Sequence, residues 1–482
     1  MKKLSINISL FFVLLTLSSC NDWLDEVKQT TTVSDEIIWQ DETLVDKYVN
    51  SFYPLLHDYG QFGEAQFYGS FTESLTDAFK YGSYTLGHRA GHPNLYVLTP
   101  DAISPDNCLY SIWLRSTAYK QIRETNQFLS LQRKYSEFSA DRNKLWEAQV
   151  RFFRAFVYFQ LAKRHGGVIL YDDLPVSTNK ARSSAEETWQ FIADDLDFAA
   201  NNLPKEWDAA NKGRITKGAA YALKSRAMLY AKRWQDAYDA ANNVIALKLY
   251  GLTDKYEDAW KGNNKEAILE FDYDAANGPN HLFDRYYVPQ CDGYDNGSTG
   301  TPTQEMVECY ESKNGEKIDR SNSSQLAKGA LPLKYGMDPD MKDGQSGIDV
   351  VIYRYADVLL TLAECINRNE GSPTTEAIGL VNRVRKRAGL SELDDAQTAS
   401  GEAFNETILL ERGHEFYLEG LRRQDLIRFG KYVEYANNRI DAINKSEGRG
   451  YFNVHEGHNR FWIPQSFIDE SKGAIKQNDY DR

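Results

Sequence analysis

Two stretches of the sequence combine aromatic rings with polar side chains that suit sugars. The first lies within residues 53–107 and the second within residues 250–347. A ring can cover the C–H face of a pyranose, while carboxylate, amide and guanidinium groups bond its hydroxyls. The residues that we expect to contact such a ligand are Asp77, Tyr81, Tyr84, Arg89, Asn94, Tyr96, Tyr286, Tyr287 and Tyr294. This pattern favours a glycan-binding surface, provided that the two stretches meet in space.

The sequence gives little support for an enzyme, because common catalytic and metal-binding motifs are absent from it. The sequence has no G-x-S-x-G, H-E-x-x-H, Walker or G-x-G-x-x-G motif. His88 and His92 have the spacing of two ligands on one helix face, but the glycines and the proline around them disfavour a helix. We therefore predict no catalytic residue, no metal and no cofactor. A glycoside hydrolase needs two suitably spaced carboxylates, however, and 69 acidic residues leave that alternative open.

The amino terminus has the pattern of an export signal. Lys2 and Lys3 precede an apolar stretch over residues 6–17, which is too short and too interrupted for a membrane-spanning helix. The run Leu17-Ser18-Ser19-Cys20 resembles a bacterial lipobox, in which the cysteine becomes the lipid anchor. We predict a signal peptide over residues 1–19 and a lipid-anchored mature chain from Cys20. An ordinary signal peptide cleaved nearby is the alternative.

Composition excludes several classes of protein. The 482 residues carry 56 basic and 69 acidic side chains, a formal charge of −13, with 42% hydrophobic residues. These values exclude a disordered chain and a polytopic membrane protein, and the absence of a basic block disfavours nucleic-acid binding. Beyond Cys20 there are four cysteines, Cys108, Cys291, Cys309 and Cys365. A bridge between Cys291 and Cys309 is the pairing that we favour if any bridge forms.

Helical periodicity appears in pairs of segments that must position the loops. Each pair has apolar residues at three- and four-residue steps. The predicted pairs are 108–131 with 143–164, 216–232 with 234–247, and 353–369 with 374–388. Small residues at Ala148, Ala237 and Ala377 are each followed by a larger apolar residue within two turns, which resembles the second helix of a tetratricopeptide unit. The fold class that we predict is mainly α-helical, with long loop-rich insertions that carry short strands.

The most specific motif runs from Glu411 to Gly430. Taken alone, it predicts a helix with Glu–Arg pairs along one face. Together with Phe461-Trp462-Ile463-Pro464 and Gln477-Asn478-Asp479-Tyr480, it closely resembles the SusD/RagB family of surface glycan-binding lipoproteins. The positions that fit the family run are Glu411, Arg412, Glu415, Phe416, Glu419, Gly420, Arg422, Asp425, Leu426, Arg428, Phe429 and Gly430. The resemblance extends through residues 21–25, 126–129, 147–167 and 354–364, although relatives usually have a proline shortly after Gly167.

This resemblance implies a single SusD-like domain over residues 20–482. Its tetratricopeptide-like scaffold would occupy about 108–250 and 350–445, and its ligand-facing loops about 53–107 and 250–347. Such proteins face outward on the outer membrane, bind oligosaccharide or polysaccharide, and deliver it to a partner SusC-like TonB-dependent transporter without bond chemistry. Ligand-contacting residues vary within the family, so the resemblance implies no particular sugar. A secreted glycoside hydrolase on a helical scaffold and an uptake lipoprotein for a non-glycan nutrient are the alternatives.

Overall fold

The protein is mainly helical, as predicted, in a computed structural model of the chain. The structure describes residues 35–60, 72–81, 103–105, 107–108, 112–113, 118–174, 180–260, 262–274, 278–281, 300–310, 347–448 and 450–479. Cys20 and most of the two aromatic stretches lie outside these residues.

Eight described α-helices precede the second loop-rich region: three short ones at the amino-terminal end, followed by five that form the first part of the scaffold. They are α1 (Asp35–Ile38), α2 (Glu42–Asn50), α3 (Pro54–Gly60), α4 (Ala118–Tyr135), α5 (Ala140–His165), α6 (Ala185–Asn202), α7 (Lys217–Tyr230) and α8 (Trp234–Ala246). The remaining helices are α9 (Gln304–Cys309), α10 (Tyr355–Glu370), α11 (Thr375–Ala388), α12 (Gly401–Glu415), α13 (Arg422–Arg428), α14 (Tyr432–Glu447) and α15 (Gln465–Glu470).

The three predicted helical hairpins are present. They are α4 with α5, α7 with α8, and α10 with α11, and within each hairpin the two helices pack against each other. The predicted start at residue 108 was wrong, because Asn107 and Cys108 pair with Ile103 and Ser104 as a short antiparallel pair; the described helix is Ala118–Tyr135. The prediction also missed α6, which packs against α5 and α7 and makes the scaffold continuous.

Side-chain caps fix where the scaffold helices start. Ser184 accepts a hydrogen bond from the backbone N–H of Glu187, whose carboxylate accepts one from the Ser184 N–H in return. The hydroxyl groups of Thr216 and Thr374 cap α7 and α11 by each accepting a hydrogen bond from the backbone N–H three residues later. Each cap satisfies a backbone donor that the first helical turn leaves unpaired.

Strands are short in the described part of the chain and form three antiparallel pairs. They are β1 (Phe79–Tyr81) with β5 (Gly300–Pro302), β2 (Ile103–Ser104) with β3 (Asn107–Cys108), and β4 (Ala267–Phe271) with β6 (Val350–Arg354). The β4–β6 pair closes the second loop-rich region at its base, since β4 lies near its start and β6 directly precedes α10. The pair therefore holds the start of the region next to the strand that leads into α10.

Two hydrophobic clusters form the core of the part of the chain that the structure describes. The larger one runs through the scaffold hairpins, and residues such as Phe152, Phe156 and Leu223 are fully buried in it. The smaller one joins Leu75 and Ala78 of the first loop-rich region to Met306 of the second and to Leu426 of α13. Among the described residues, no helix combines the length and the apolar character needed to cross a membrane.

Candidate ligand-binding face

The two loop-rich regions meet at a strand pair. In the antiparallel register of β1 and β5, Phe79 lies opposite Pro302 and Tyr81 lies opposite Gly300. The Thr303 N–H extends this contact by donating to the Ala78 carbonyl at 3.0 Å, and the Thr303 hydroxyl donates to the Asp77 carbonyl. Segments more than 200 residues apart in sequence are thereby fixed side by side, which is what one continuous binding surface requires.

A buried glutamate anchors the segment that leads into β1. The Glu73 carboxylate is fully buried and accepts backbone hydrogen bonds from Leu418, Gly420 and Leu421 at 2.9–3.2 Å. Leu418 and Gly420 both have positive φ, +62° and +73°. Because a left-handed conformation is costly for a leucine, the three bonds to Glu73 stabilise a turn that the local sequence disfavours.

An ion pair beside this turn fixes Asp77. The Arg422 guanidinium donates to both carboxylate oxygens, from Nε at 3.0 Å and from Nη2 at 2.7 Å. Burial alone would lower the pKa of Arg422, but the attraction of Asp77 outweighs it and raises the pKa. Two nitrogen–oxygen contacts in one plane hold a carboxylate more rigidly than a single contact.

A cavity of about 200 Å³ lies next to this ion pair. Its lining comes from both loop-rich regions and from α12, α13 and α14. The lining residues are Asp77, Glu305, Cys309, Glu406, Leu409, Leu410, Arg422, Tyr435, Asn438 and Arg439. We call it the Asp77 cavity.

Cys309 borders the Asp77 cavity as a free thiol. Its Sγ lies 3.0 Å from the Met306 carbonyl and 3.3 Å from Nε2 of His414. The pairing of Cys291 with Cys309, which the sequence favoured if any bridge formed, is therefore not made; Cys291 itself lies outside the described residues. Burial raises the pKa of Cys309 to about 11, so the thiol is protonated at neutral pH and is a poor nucleophile. Cys365 is also a free thiol and is buried.

Residues 411–430 do not form one continuous helix. The chain turns at residues 416–421 between α12 and α13, and most of the ion pairs reach other elements. Arg412 bonds Asp357 of α10 at 3.0 Å, and Arg354 of β6 bonds Glu419 at 2.7 Å and Glu266 at 2.9 Å. The expectation of pairs along one helix face is therefore wrong for most of them, because the turn aims these side chains into the core.

Asp357 shows the electrostatic character of this core. Both of its oxygens accept from guanidinium groups, Arg226 on α7 and Arg412 on α12. Burial favours its neutral form, but the two cations outweigh burial and lower the pKa of Asp357 to about 2. Paired, fully bonded charges of this kind fix the relative position of helices, since loss of one partner leaves a buried charge uncompensated.

A second cavity of about 560 Å³ lies among the scaffold helices and the carboxyl-terminal segment. Trp189, Lys163 and Lys232 line it from the scaffold, and Glu456 and Arg460 from the carboxyl-terminal side. Its described lining includes no residue of either loop-rich region, so it is separate from the Asp77 cavity.

The predicted contact residues fall into two groups. Asp77 lies in the lining of the Asp77 cavity, and Tyr81 lies at the end of β1 opposite Gly300. The others, Tyr84, Arg89, Asn94, Tyr96, Tyr286, Tyr287 and Tyr294, lie outside the described residues. Sequence reasoning missed Tyr435 and Asn438, because both are on a helix far along the chain and only the packing of α14 brings them to this face.

The chain thus combines a scaffold of helical hairpins with a loop-rich face. Comparisons with known proteins show which family it belongs to. The SusD family model matches residues 334–480. A second model, described as starch-binding and associating with the outer membrane, matches residues 22–229. Together they span most of the chain, and the chain belongs to the SusD family.

Relatives and solved structures agree with that assignment. A SusD-like protein of Bacteroides ovatus is 27% identical over 64% of this chain, and the match spans 65% of that relative, just under two thirds. The SusD-like protein P38 of Formosa agariphila is 24% identical over 90% of this chain and 93% of its own length. The surface glycan-binding protein A of Bacteroides thetaiotaomicron, solved with laminarihexaose, superposes with a TM-score of 0.71 at 23% identity, covering 91% of this chain and 99% of that one. This last likeness establishes the fold.

Proposed function

We propose that the protein is an exported lipoprotein, anchored through Cys20 on the outer face of the outer membrane, that binds a glycan at its loop-rich face. It delivers that glycan to a SusC-like TonB-dependent transporter and cleaves no bond itself. The observation that carries the proposal is the β1–β5 pair, because it joins the two stretches whose aromatic and polar residues suit sugars. Family membership supports the same function, as does the laminarihexaose bound by a structural neighbour.

The anchor is supported by the sequence Leu17-Ser18-Ser19-Cys20 after an export signal and by the outer-membrane association in the name of the matching family model. A lipidated cysteine carries several acyl chains, which gives stable attachment where a single chain would be marginal. Single-domain organisation from Cys20 onward belongs to the same proposal.

Binding and cleavage can be tested together. The mature chain with Cys20→Ala is titrated by calorimetry against laminarin, starch, xylan and mucin glycans, and each mixture is assayed for new reducing ends. We expect binding to at least one polysaccharide with no new ends. New reducing ends would favour the glycoside hydrolase alternative. Failure of all four to bind would contradict the glycan proposal and favour a non-glycan nutrient.

The anchor has a separate test. The full chain and its Cys20→Ala variant are expressed in a bacterium that lipidates exported proteins, and membranes are separated from soluble material. We expect the native chain in the outer membrane and the variant in the soluble fraction. Equal retention of both would contradict lipid anchoring at Cys20.

A further inference from the structure

We propose that the Asp77 cavity is a subsite that holds one neutral sugar unit of the bound glycan. This inference rests on the proposed function, because it assigns a place on the same face to part of the same ligand. Four features carry it: the position, the size, the lining and the charge of the cavity.

The position follows from the strand pair. Asp77 lies two residues before β1, and Glu305 lies three residues after β5. The cavity is thus lined from both loop-rich regions where they join, and the helices α12, α13 and α14 complete it. A glycan that lies on the joined loops would have this cavity at the base of its binding surface.

The volume of the cavity suits a single sugar ring. Pockets that enclose whole drug-sized ligands have volumes of roughly 300–1,000 Å³. The Asp77 cavity, at about 200 Å³, is smaller than that range. It therefore suits one monosaccharide unit, with the rest of the chain outside.

The lining offers the contacts that a pyranose uses. Tyr435 is partly buried and supplies a ring, and the Arg422 guanidinium lies 5.5 Å from its centroid. Leu409 and Leu410 add apolar surface, while Glu305 and Asn438 are exposed polar side chains that can bond hydroxyls. An apolar ring face beside planar polar groups matches the two faces of a sugar.

The far side of the cavity is rigid before any ligand arrives. Arg422 is held by both oxygens of Asp77 and by the Leu409 carbonyl at 3.0 Å. Arg439 bonds the carbonyl oxygens of Ser74 and Thr76. Groups that are already fixed lose little freedom on binding, which favours affinity.

The charge of the lining indicates the kind of sugar. Both cations are engaged, Arg422 by Asp77 and Arg439 by backbone carbonyls. Glu406 is paired with Lys431 at 3.2 Å, and the other two charged lining residues, Glu305 and Arg439, are of opposite sign, so the formal charges at the cavity balance. A lining without net charge offers no excess of counter-charge to offset the desolvation of an anionic sugar, whereas a neutral sugar brings hydroxyl donors that the Glu305 carboxylate accepts.

The test is a double variant, Glu305→Gln with Asn438→Ala, in the mature Cys20→Ala chain. Both side chains are exposed, so the fold should tolerate the changes, and thermal melting checks this. A matched control, Glu370→Gln with Asn201→Ala, makes the same chemical changes at exposed positions of the scaffold. The probes are laminarin, starch, xylan and mucin glycans, with polygalacturonan as the anionic probe.

We expect the double variant to bind the recognised neutral glycan about tenfold more weakly, as the loss of two modest hydrogen bonds predicts, and the control to bind like the parent. Tyr435→Ala should weaken binding in the same direction. Equal affinity of parent and double variant would overturn the subsite while leaving the proposed function intact. If the parent binds polygalacturonan and the double variant does not, the assignment to a neutral sugar is overturned. If the parent binds none of the probes, both proposals fail.

Discussion

Buried cations of the family motif act as positioning groups in this chain. Arg422 holds Asp77, Arg412 joins Asp357 to Asp425, and Arg354 bonds glutamates from two separate regions. Each guanidinium presents several donors in one plane, so a single residue can fix two carboxylates at a defined angle. Such residues are placed to support the loop-rich face, and Arg422 alone of these three also lines the Asp77 cavity.

A buried histidine should make stability depend on pH. His165 ends α5 with its Nδ1 3.2 Å from the Phe461 carbonyl, and burial together with Arg164, Arg182 and Arg423 lowers its pKa to about 3. In the unfolded chain the pKa of histidine is about 6.5, so between these values the unfolded state binds the extra proton. The free energy of unfolding should therefore fall as the pH drops below 6.5, by about 1.4 kcal/mol at pH 5.5 from this group.

Urea unfolding at pH 7.0 and pH 5.5 measures that difference. The variant His165→Gln cannot titrate and should show a smaller difference between the two pH values than the native chain does. The same difference in both proteins would exclude His165 as the source. This pH range avoids the titration of Asp357, whose native pKa is about 2.

At the level of elements, helix ends decide where the hairpins turn. Gly371 follows α10 with φ +73°, a left-handed conformation in which its N–H bonds the Asn367 carbonyl at 2.9 Å. Such a cap lets the chain reverse within a few residues and lay α11 against α10. The sequence indicated this turn through Gly371-Ser372-Pro373, since glycine and proline are favoured at and after helix ends.

Two glycines of this hairpin should respond oppositely to alanine. No atom lies within 4 Å of the Cβ that alanine would add at Gly371 or at Gly379, so neither change creates a clash. Gly371→Ala forces a left-handed alanine and should lower the free energy of unfolding by about 1 kcal/mol. Gly379→Ala lies inside α11 and should raise it by up to about 1 kcal/mol, because alanine favours helix. Chemical denaturation of both variants tests the pair, and changes of the same sign would contradict this account of the turn.

At the scale of the whole molecule, long-range polar contacts join the loop-rich face to the carboxyl-terminal helices. Glu73 and the turn at 418–421 are separated by about 345 positions. The Asp77–Arg422 pair spans the same distance in sequence, and the smaller hydrophobic cluster lies beneath both. The described base of the loop-rich face is therefore part of the folded core.

Removal of the Glu73 charge should destabilise this junction. In Glu73→Gln one acceptor oxygen becomes an N–H donor that faces backbone N–H groups, and we expect a loss of about 2 kcal/mol in the free energy of unfolding. Glu370→Gln, an exposed change of the same kind, should alter it by less than about 0.5 kcal/mol. Urea denaturation compares them, and a Glu73→Gln variant as stable as the control would show that the three hydrogen bonds contribute little.

Sequence patterns could predict the helices because their signals are local. Periodic apolar residues, capping serines and threonines, and glycine at helix ends each act within a few residues, and the three hairpins follow from them. The strand conformation of Asn107 and Cys108 could not be predicted, because it depends on their pairing with Ile103 and Ser104, and the apolar periodicity from residue 108 onward favoured a helix. Residues 411–430 also have a pattern that favours one helix. The turn at 416–421 that separates α12 from α13 is stabilised by Glu73, which is distant in sequence.

By itself the sequence determined the fold class, the hairpins and the family, and it marked Asp77 and Tyr81 as residues of interest. Only the tertiary structure decided that β1 pairs with β5 and that Tyr435 and Asn438 of α14 reach the same cavity as Asp77. The physical reason is that these contacts join residues hundreds of positions apart. Their formation depends on the closure of long loops and on burial in a shared core, which no local window of sequence encodes.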